Sequence, residues 1–130
     1  MPFVTLTVLD STTAAHRRAL LDAVHAALVA VGVPPADRFQ RVLALAPDSL
    51  VFDPHFPATA DNNHHPRNQQ FAIVEVLWSV GRSVKVKQQM LQHLVEGLQR
   101  IDHDPEQLLL MFKETAWENW SFAGGRLLHA

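Results

Sequence analysis

The sequence predicts a mixed α/β fold made of two consecutive β-α-β units. Residues 2–45 and 71–113 show the same order of an apolar strand, a helix, a proline-containing break and a second strand, displaced by about 68 residues. The 130 residues fit a single domain, and the 48% hydrophobic content is enough for a packed core. A long loop at 46–70 joins the two units, and a segment at 114–130 follows the second unit.

Each element of the first unit has a local signal. The run FVTLTVL at Phe3–Leu9 predicts a strand that is at least half buried. Polar residues 10–13 supply N-cap candidates for a helix over 14–31, in which apolar residues recur at helical spacing. Pro34 prevents the helix from continuing, and the run FQRVLAL predicts a second strand at Phe39–Leu45.

Residues 46–70 differ from their surroundings, because prolines and polar residues replace the regular patterns. A loop of this length is typical of a functional lid or a mobile segment. Regularity returns with an apolar strand at Phe71–Trp78, a helix over 84–101 that Ser83 caps, and a strand at Leu108–Phe112.

Two arrangements of these strands are compatible with the pattern. Each β-α-β crossover is expected to be right-handed, with its two strands parallel. The sheet is then either a ferredoxin-like βαββαβ sheet or a pair of β-α-β halves related by a pseudo-twofold axis. In both arrangements the two helices cover one face of the sheet, while the apolar strands indicate burial on both faces. We therefore expect another copy of the chain to cover the second face.

Composition excludes several classes of function. The chain has no cysteine and no tyrosine, which excludes disulfide scaffolds, thiol nucleophiles, Cys-based metal sites and phenolic acids or bases. The net charge of -2 gives no field that would attract nucleic acid or an anionic membrane. The sequence shows neither a membrane-spanning apolar run nor a secretory signal, so we expect a soluble cytoplasmic protein.

The eight histidines do not form a metal motif. His55, His64 and His65 share the long loop, but their spacing matches no known set of metal ligands. The positions of His16 and His103 fit the surface of a helix and a loop. Since no phosphate-binding glycine loop occurs either, we expect neither a metal nor a nucleotide cofactor.

Pro2 is a candidate catalytic residue. Removal of Met1 would leave Pro2 with a free secondary amine at the start of the first strand. An apolar pocket favours the neutral amine, which is a base or a nucleophile, whereas a retained proton makes the amine an acid. Many proteins begin with Met-Pro for no chemical reason, so the dipeptide alone does not assign this role.

Five further residues are candidates for a site. Arg82 lies between a strand and the cap of the second helix, where a guanidinium and free helix N–H groups bind carboxylates. Asp37 and Arg38 precede the second strand, where they either orient a substrate or stabilise the turn. Trp120 and Phe122 alternate along an extended segment, so they line one side of a pocket or pack against a neighbouring subunit.

Taken together, these residues give the chain a resemblance to a known family. The motifs and their distances resemble those of the tautomerase superfamily, in particular the long-chain branch near malonate semialdehyde decarboxylase. The resemblance implies a homotrimer and favours the pseudo-twofold arrangement. The motifs that carry it are Pro2, Asp37-Arg38-Phe39-Gln40, Phe52-Asp53-Pro54, Gly81-Arg82-Ser83 and Glu118-Asn119-Trp120-Ser121-Phe122.

The resemblance also implies roles for individual residues. Pro2 corresponds to the family's amino-terminal proline, which shuttles a proton in tautomerases and acts as a cationic acid in the decarboxylase. Asp37 corresponds to the decarboxylase's active-site aspartate, and Arg82 to the second of its two carboxylate-binding arginines. Trp120 and Phe122 correspond to the aromatic wall of its pocket.

The first carboxylate-binding arginine of the decarboxylase is missing, since Val80 stands at its position. One arginine holds a small carboxylic acid less firmly than two. The first expectation is therefore a cofactor-free tautomerase that acts on an enol or 2-oxo carboxylic acid. The alternatives are a decarboxylase or hydratase of a small 3-oxo or unsaturated acid, and a non-catalytic trimeric binding protein. The predicted site consists of three catalytic residues (Pro2, Asp37 and Arg82) and three substrate-binding residues (Arg38, Trp120 and Phe122).

Overall fold

The computed structural model describes residues 1–57 and 65–128, and part of the predicted long loop, including His64, lies outside the described residues. Four strands and two α-helices follow the predicted order, and a short 3-10 turn follows the second strand of each unit. The elements are β1 (Phe3–Leu9), α1 (Ala14–Ala30), β2 (Phe39–Leu45), a 3-10 turn (Pro47–Ser49), β3 (Ala72–Ser79), α2 (Val84–Arg100), β4 (Leu108–Thr115) and a 3-10 turn (Trp117–Asn119).

The four strands form one sheet in the order β2-β1-β3-β4. Strand β1 pairs with β2 in parallel, β3 pairs with β4 in parallel, and β1 and β3 meet antiparallel at the centre. In a ferredoxin-like sheet the two strands of each β-α-β unit are split by a third strand. Here they are direct neighbours, so the pseudo-twofold arrangement is confirmed and the ferredoxin-like alternative is wrong.

Equivalent positions of the two units lie 70 residues apart, slightly more than the sequence pattern indicated. Thr13 and Ser83 are the N-caps of α1 and α2, and their hydroxyls accept hydrogen bonds from the N–H groups three residues on. Such caps satisfy N–H groups that a helix leaves without an internal partner. Gly32 and Asp102 follow the helix ends with positive φ angles of 107° and 57°.

Both helices pack on the same face of the sheet and on each other. Their buried residues recur every four positions and form one stripe on each helix, as expected for a helix that covers a sheet on one side. The strands contribute alternate side chains to this core, with Trp78 the largest fully buried one. The central members of the core are Val4, Leu6, Val8, Leu20, Val24, Leu28, Val74, Val76, Met90, Leu94 and Leu98.

The opposite face of the sheet carries apolar side chains that the described chain leaves partly exposed. Phe39 and Leu43 on β2, and Leu109 and Met111 on β4, are between 37% and 45% exposed. The strand register places all four on the same face as Thr5. Apolar patches of this kind commonly mark contact surfaces between proteins.

Strand β4 continues three residues beyond the end that its apolar run predicts. Lys113 and Glu114 are polar, so the pattern stops at Phe112, but their backbone groups pair with β3 as far as Ser79. Lys113 Nζ also lies 2.5 Å from a carboxylate oxygen of Glu75 across the sheet. Within residues 1–57 and 65–128, no helix is both long and apolar enough to cross a membrane.

Candidate active site

The antiparallel pairing of β1 and β3 brings the amino-terminal end of the chain to the carboxyl end of β3. Phe3 pairs with Leu77 on one side and with Phe39 on the other, so Pro2 lies at the edge where β3 ends and β2 begins. Arg82 follows β3 at the same edge. Residues from three distant parts of the sequence therefore meet at one end of the sheet.

A cavity of about 240 Å³ opens at this edge. Pro2 is buried in its wall, and aromatic rings provide most of the remaining surface. The ring of Phe122 lies 5.5 Å from that of Phe39 and 5.7 Å from that of Trp120, measured between centroids, and it is almost parallel to the indole. The lining residues are Pro2, Phe3, Phe39, Trp120, Ser121 and Phe122.

Trp120 is held in this wall by a hydrogen bond. Its indole Nε1–H donates to the hydroxyl of Ser79 over 3.0 Å, and the backbone N–H of Leu128 donates to the Trp120 carbonyl over 3.0 Å. Ser79 is completely buried at the end of β3. The carboxyl-terminal segment is thereby fixed to the central sheet beside Pro2.

Arg82 is positioned by the same strand end. Its Nη1 donates to the carbonyl of Ser79 over 2.8 Å, and its guanidinium lies 4.4 Å from the centroid of the Trp78 ring. Burial lowers the pKa of the Arg82 guanidinium below its usual value, and the nearby carboxylates of Asp37 and Glu114 oppose that shift. Arginine remains charged at neutral pH, so Arg82 is a cation fixed in a partly desolvated position.

Asp37 lies next to the amino terminus. Its Oδ2 is 3.2 Å from the nitrogen of Met1, and only 15% of its side chain is exposed. The backbone N–H of Asp37 donates to the carbonyl of Pro34 over 2.9 Å, which closes the turn that follows helix α1. This turn therefore places a carboxylate beside the amino terminus and within electrostatic range of Arg82.

Arg38 does not reach the cavity and instead contacts helix α1. Its Nη2 lies 2.5 Å from a carboxylate oxygen of Asp22, and its Nε donates to Gln40 over 2.8 Å. The hydrogen bond from Arg38 is the main reason why the pKa of Asp22 falls below its ordinary value. The structure thus places Arg38 where it joins β2 to α1 and does not bring it together with the other predicted site residues.

Three contributors to the site were not predicted from the sequence. Phe3 and Phe39 line the cavity because the parallel register sets them opposite each other. Ser79 connects Arg82 and Trp120, although nothing in its local sequence indicates that role. The predicted parallel direction of the two strands in one unit offered one usable signal for Phe3 and Phe39, because it sets the starts of β1 and β2 at the same edge of the sheet.

The expectation that His103 lies on the surface is also wrong, because its side chain is only 1% exposed. Its Nε2 lies 2.9 Å from the carbonyl oxygen of Gln107, which can only accept, so this nitrogen carries the proton. Its Nδ1 is then free to accept from His16 Nε2, 2.9 Å away. Burial, followed by the influence of His103, lowers the pKa of His16 below 6.5.

Residues 37–123 match the sequence profile of a tautomerase family, Tautomerase_2, described as a tautomerase enzyme. This stretch contains Asp37, Arg82, Trp120 and Phe122, and it begins after Pro2. No curated protein sequence matches the chain.

Several solved structures resemble the chain over nearly its whole length. Two of them, at 27% identity and covering 96% of this chain, are structures of malonate semialdehyde decarboxylases. One is the FG41 enzyme inhibited by 3-bromopropiolate (TM-score 0.84, 92% of that chain covered). The other belongs to a study of a malonate semialdehyde decarboxylase in its wild-type form, as a variant with its first residue changed from proline to alanine, and in an inactivated form (TM-score 0.83, 93% of that chain covered). That study addresses the structural basis of the decarboxylase and hydratase activities of the enzyme.

A more distant structure shares the fold alone. A fused 4-OT that forms a symmetric trimer is 19% identical, with a TM-score of 0.71 and coverage of 96% of this chain and 94% of that chain.

Proposed function

The chain belongs to the tautomerase family, and from this premise we propose that it is a cofactor-free enzyme in which Pro2 transfers a proton to or from a small carboxylic acid. The observation that carries the proposal is the position of Pro2, which is buried in an aromatic cavity on the same sheet edge as Arg82 and follows Met1, whose nitrogen is paired with Asp37. The proposal requires removal of Met1, because the nitrogen of Pro2 is otherwise an amide without basicity.

Asp37 favours the acid form of this amine. The carboxylate lies 3.2 Å from the nitrogen of Met1, and we propose that it pairs with the ammonium of Pro2 once Met1 is removed, because a nearby opposite charge favours the charged form of a group. Once Pro2 becomes the terminus, its nitrogen is one residue further along the chain in the same corner. A protonated Pro2 donates to a carbonyl oxygen but does not abstract a proton from carbon, so its role is that of a general acid.

An acid at this position supports decarboxylation of a small 3-oxo acid. The ammonium of Pro2 transfers its proton to the 3-oxo oxygen while the bond between the carboxylate carbon and C2 breaks, and the electron pair of that bond forms the C2–C3 double bond of the enol as CO₂ leaves. The enol then takes a proton from water at C2 and returns its hydroxyl proton to the Pro2 amine, which gives the aldehyde or ketone and restores the acid. The two 27% identical neighbours named for malonate semialdehyde decarboxylase also support this reaction.

A single arginine is compatible with this chemistry. During decarboxylation, negative charge leaves the carboxylate and develops on the carbonyl oxygen, so only contacts that favour the later charge distribution accelerate the step. Arg82 orients the carboxylate, while Phe39, Trp120 and Phe122 form the apolar surface that keeps water from the reacting carbon. Decarboxylation therefore ranks above tautomerisation in our proposal, which reverses the order that the sequence favours.

Tautomerisation of an enol or 2-oxo acid is the second candidate. The observation that favours it is Val80, which leaves Arg82 as the one arginine of that segment. In this reaction Pro2 would have to accept a proton from the enol hydroxyl or from carbon, and Asp37 would oppose the neutral amine that this requires.

The quaternary structure is part of the proposal. The uncovered apolar face around Phe39, Leu43, Leu109 and Met111 supports a homo-oligomer, and the predicted trimer agrees with the trimeric fused 4-OT that shares the fold. Multi-angle light scattering tests this directly. A monomer at micromolar concentration would contradict it.

One experiment separates the two reactions. Wild-type protein, with loss of Met1 verified by intact mass, is assayed for CO₂ release from malonate semialdehyde and for ketonisation of enol phenylpyruvate, alongside Asp37→Asn. If Pro2 is an acid, Asp37→Asn slows decarboxylation at neutral pH and speeds ketonisation. The opposite pattern would support the tautomerase, and retention of Met1 with no turnover would leave the non-catalytic binding protein.

A further inference from the structure

We propose that Arg126 is a second carboxylate-binding residue of the site, presented at the Phe122 end of the cavity by the carboxyl-terminal hairpin. The inference rests on the proposed function, because it adds a substrate contact to the same site. In this proposal Arg126, on the segment after β4, takes the role of the carboxylate-binding arginine that Val80 replaces, although the two positions are far apart in the sequence.

The hairpin is a tight turn at 123–126 that folds the chain back along the aromatic wall. The N–H of Arg126 donates to the carbonyl of Ala123 over 3.2 Å, and Gly124 and Gly125 have φ angles of 62° and 68°. Two consecutive positive φ angles define a type I′ turn, which glycine adopts without strain. The hydrogen bond between Leu128 and Trp120 continues the return strand.

The turn fixes where the guanidinium of Arg126 lies. A Cβ atom on Gly124 would be 2.5 Å from Arg126 Nη1 and 3.0 Å from its Cζ, so the guanidinium lies flat against the glycine backbone. It thereby forms part of a second cavity, of about 280 Å³, whose other lining residues are Phe122, Ala123, Leu127 and Leu128. Phe122 lines both this cavity and the one at Pro2, so the two spaces adjoin at its ring.

The charge of Arg126 is uncompensated in the part of the chain that the structure describes. Within residues 1–57 and 65–128, no carboxylate lies within ion-pair distance of its guanidinium, whereas Arg38 is paired with Asp22 and Arg82 is in range of Asp37. Arg126 is exposed, and its neighbours in this cavity are apolar side chains that offer it no hydrogen-bond partner. An accessible guanidinium binds a carboxylate through two parallel hydrogen bonds. The missing partner is then the carboxylate of a substrate that enters past Phe122.

Two acids carry the required chemistry. A monocarboxylic oxo acid would offer Arg126 the same carboxylate that Arg82 holds, while a dicarboxylic oxo acid would offer a second one. Malonate and propionate serve as unreactive probes of the two cases, because both lack the carbonyl that the reaction needs.

The kinetic test is Arg126→Gln, with Arg100→Gln as the matched loss of an exposed charge on helix α2. We expect KM for the acid that the enzyme turns over to rise about 10- to 100-fold in Arg126→Gln, in line with the loss of charged hydrogen bonds, with kcat within about threefold. Arg126→Lys should recover part of the loss. An unchanged KM, or an equal effect of Arg100→Gln, would overturn the proposal.

The turn itself provides a second pair of variants. Gly124→Ala and Gly125→Ala impose the same strain of a positive φ, but only the first places a methyl group against the Arg126 guanidinium. We expect KM to rise more in Gly124→Ala, with similar thermal stability in both variants. Equal KM values would show that the observed position of Arg126 is irrelevant to binding.

A binding measurement keeps this inference separate from the proposed function. Calorimetric titration of Pro2→Ala with malonate and with propionate requires no turnover. We expect Arg126→Gln on that background to weaken binding of malonate alone if the two arginines hold separate carboxylates, and of both probes if they share one. Binding that does not change on loss of Arg126 would refute the inference even if the enzyme proves active.

Discussion

The two β-α-β units share a backbone plan but differ at the corresponding sheet edges. In the first unit, the position before β1 is Pro2, and Asp37 precedes β2 with a carboxylate aimed at the amino terminus. Seventy residues later the corresponding positions are Ala72 and Gln107, and the structure closes around both side chains. The cavity at the first edge is lined with aromatic rings around Pro2, whereas the cavity at the second edge is lined by polar residues of 11–16 and 69–70 and leaves Ala72 and Gln107 in the core.

Gln107 shows how the second edge is closed. Its side-chain oxygen accepts from the N–H of Asn68 over 2.8 Å, and its amide donates to the carbonyl of Pro66 over 2.9 Å. Its backbone carbonyl accepts from Ala72 and from His103. The position that holds the carboxylate of Asp37 in one unit thus holds in the other an amide that is hydrogen-bonded through both its oxygen and its nitrogen, which anchors the end of the long loop.

The largest effect is expected from exchanging the residues at the two equivalent edges. Pro2→Ala should lower kcat/KM by about 10²- to 10⁴-fold, the usual contribution of a positioned acid or base, and should leave the unfolding midpoint unchanged. Steady-state kinetics and urea unfolding measure the two quantities. If the activity of Pro2→Ala stayed within threefold of wild type, Pro2 would have no catalytic role that its equivalent, Ala72, lacks.

The reciprocal change, Ala72→Pro, should create no activity and should destabilise the fold. It removes the N–H that donates to the Gln107 carbonyl over 3.1 Å and leaves a buried acceptor with one partner fewer. We expect a loss of about 1–3 kcal/mol in the free energy of unfolding. A neutral result in urea unfolding would show that this edge is looser than its hydrogen bonds indicate.

Gln107→Ala should cost about 2–4 kcal/mol in stability, since it leaves the Asn68 N–H and the Pro66 carbonyl without their partner. Asp37→Ala, at the equivalent position, should affect activity far more than stability. The comparison requires the free energy of unfolding and kcat/KM of both variants. Similar stability losses for the two would mean that Asp37 is structural.

Trp120→Phe tests the wall of the open edge on a smaller scale. It removes the indole N–H that donates to Ser79 but retains an aromatic ring, so we expect a stability loss of about 1 kcal/mol and a modest rise in KM. Ser79→Ala should reproduce the stability loss. If only Trp120→Phe raises KM, the ring itself contacts substrate.

The smallest effect is expected from the His16 and His103 pair that lies near the closed edge. Because the pKa of His16 is lowered in the folded state, the unfolded chain binds more protons below pH 6.5, and stability should fall as the pH drops from there. His16→Gln should flatten this dependence, while His93→Gln on the exposed face of α2 should not. Thermal unfolding between pH 5 and pH 8 measures it.

The sequence was sufficient for the elements of the fold because each depends on neighbouring residues. Thr13 and Ser83 cap their helices through contacts three residues away, and the strands of the first unit have the predicted bounds. Pairing of β1 with β2 rather than with a third strand depends on contacts between distant segments, so the pattern left it open. The resemblance of the motifs resolved that choice before the structure confirmed it.

The site was predictable to the extent that its residues carry unusual chemistry. A terminal proline, a lone arginine before a helix and a tryptophan-phenylalanine pair are visible in the sequence, and the fold brings Pro2 and the two aromatic residues into one cavity. The direction of a side chain is not visible there, and Arg38 pairs with Asp22 instead of facing that cavity. His103 and Gln107 are buried because the end of the long loop packs over the second edge. This contact joins distant segments, so no local sequence pattern predicts it.

A chemical group at the amino terminus has a consequence for stoichiometry. Linking two β-α-β units in one chain turns the nitrogen that begins the second unit, at Ala72, into an ordinary amide. Once Met1 is removed, a tandem chain has one amino-terminal proline amine for two scaffolds, so in the proposed enzyme an oligomer has as many active centres as it has chains. Titration with a carbonyl reagent that captures secondary amines should end at one equivalent per chain, and a fusion partner on the amino terminus should bring the count to zero.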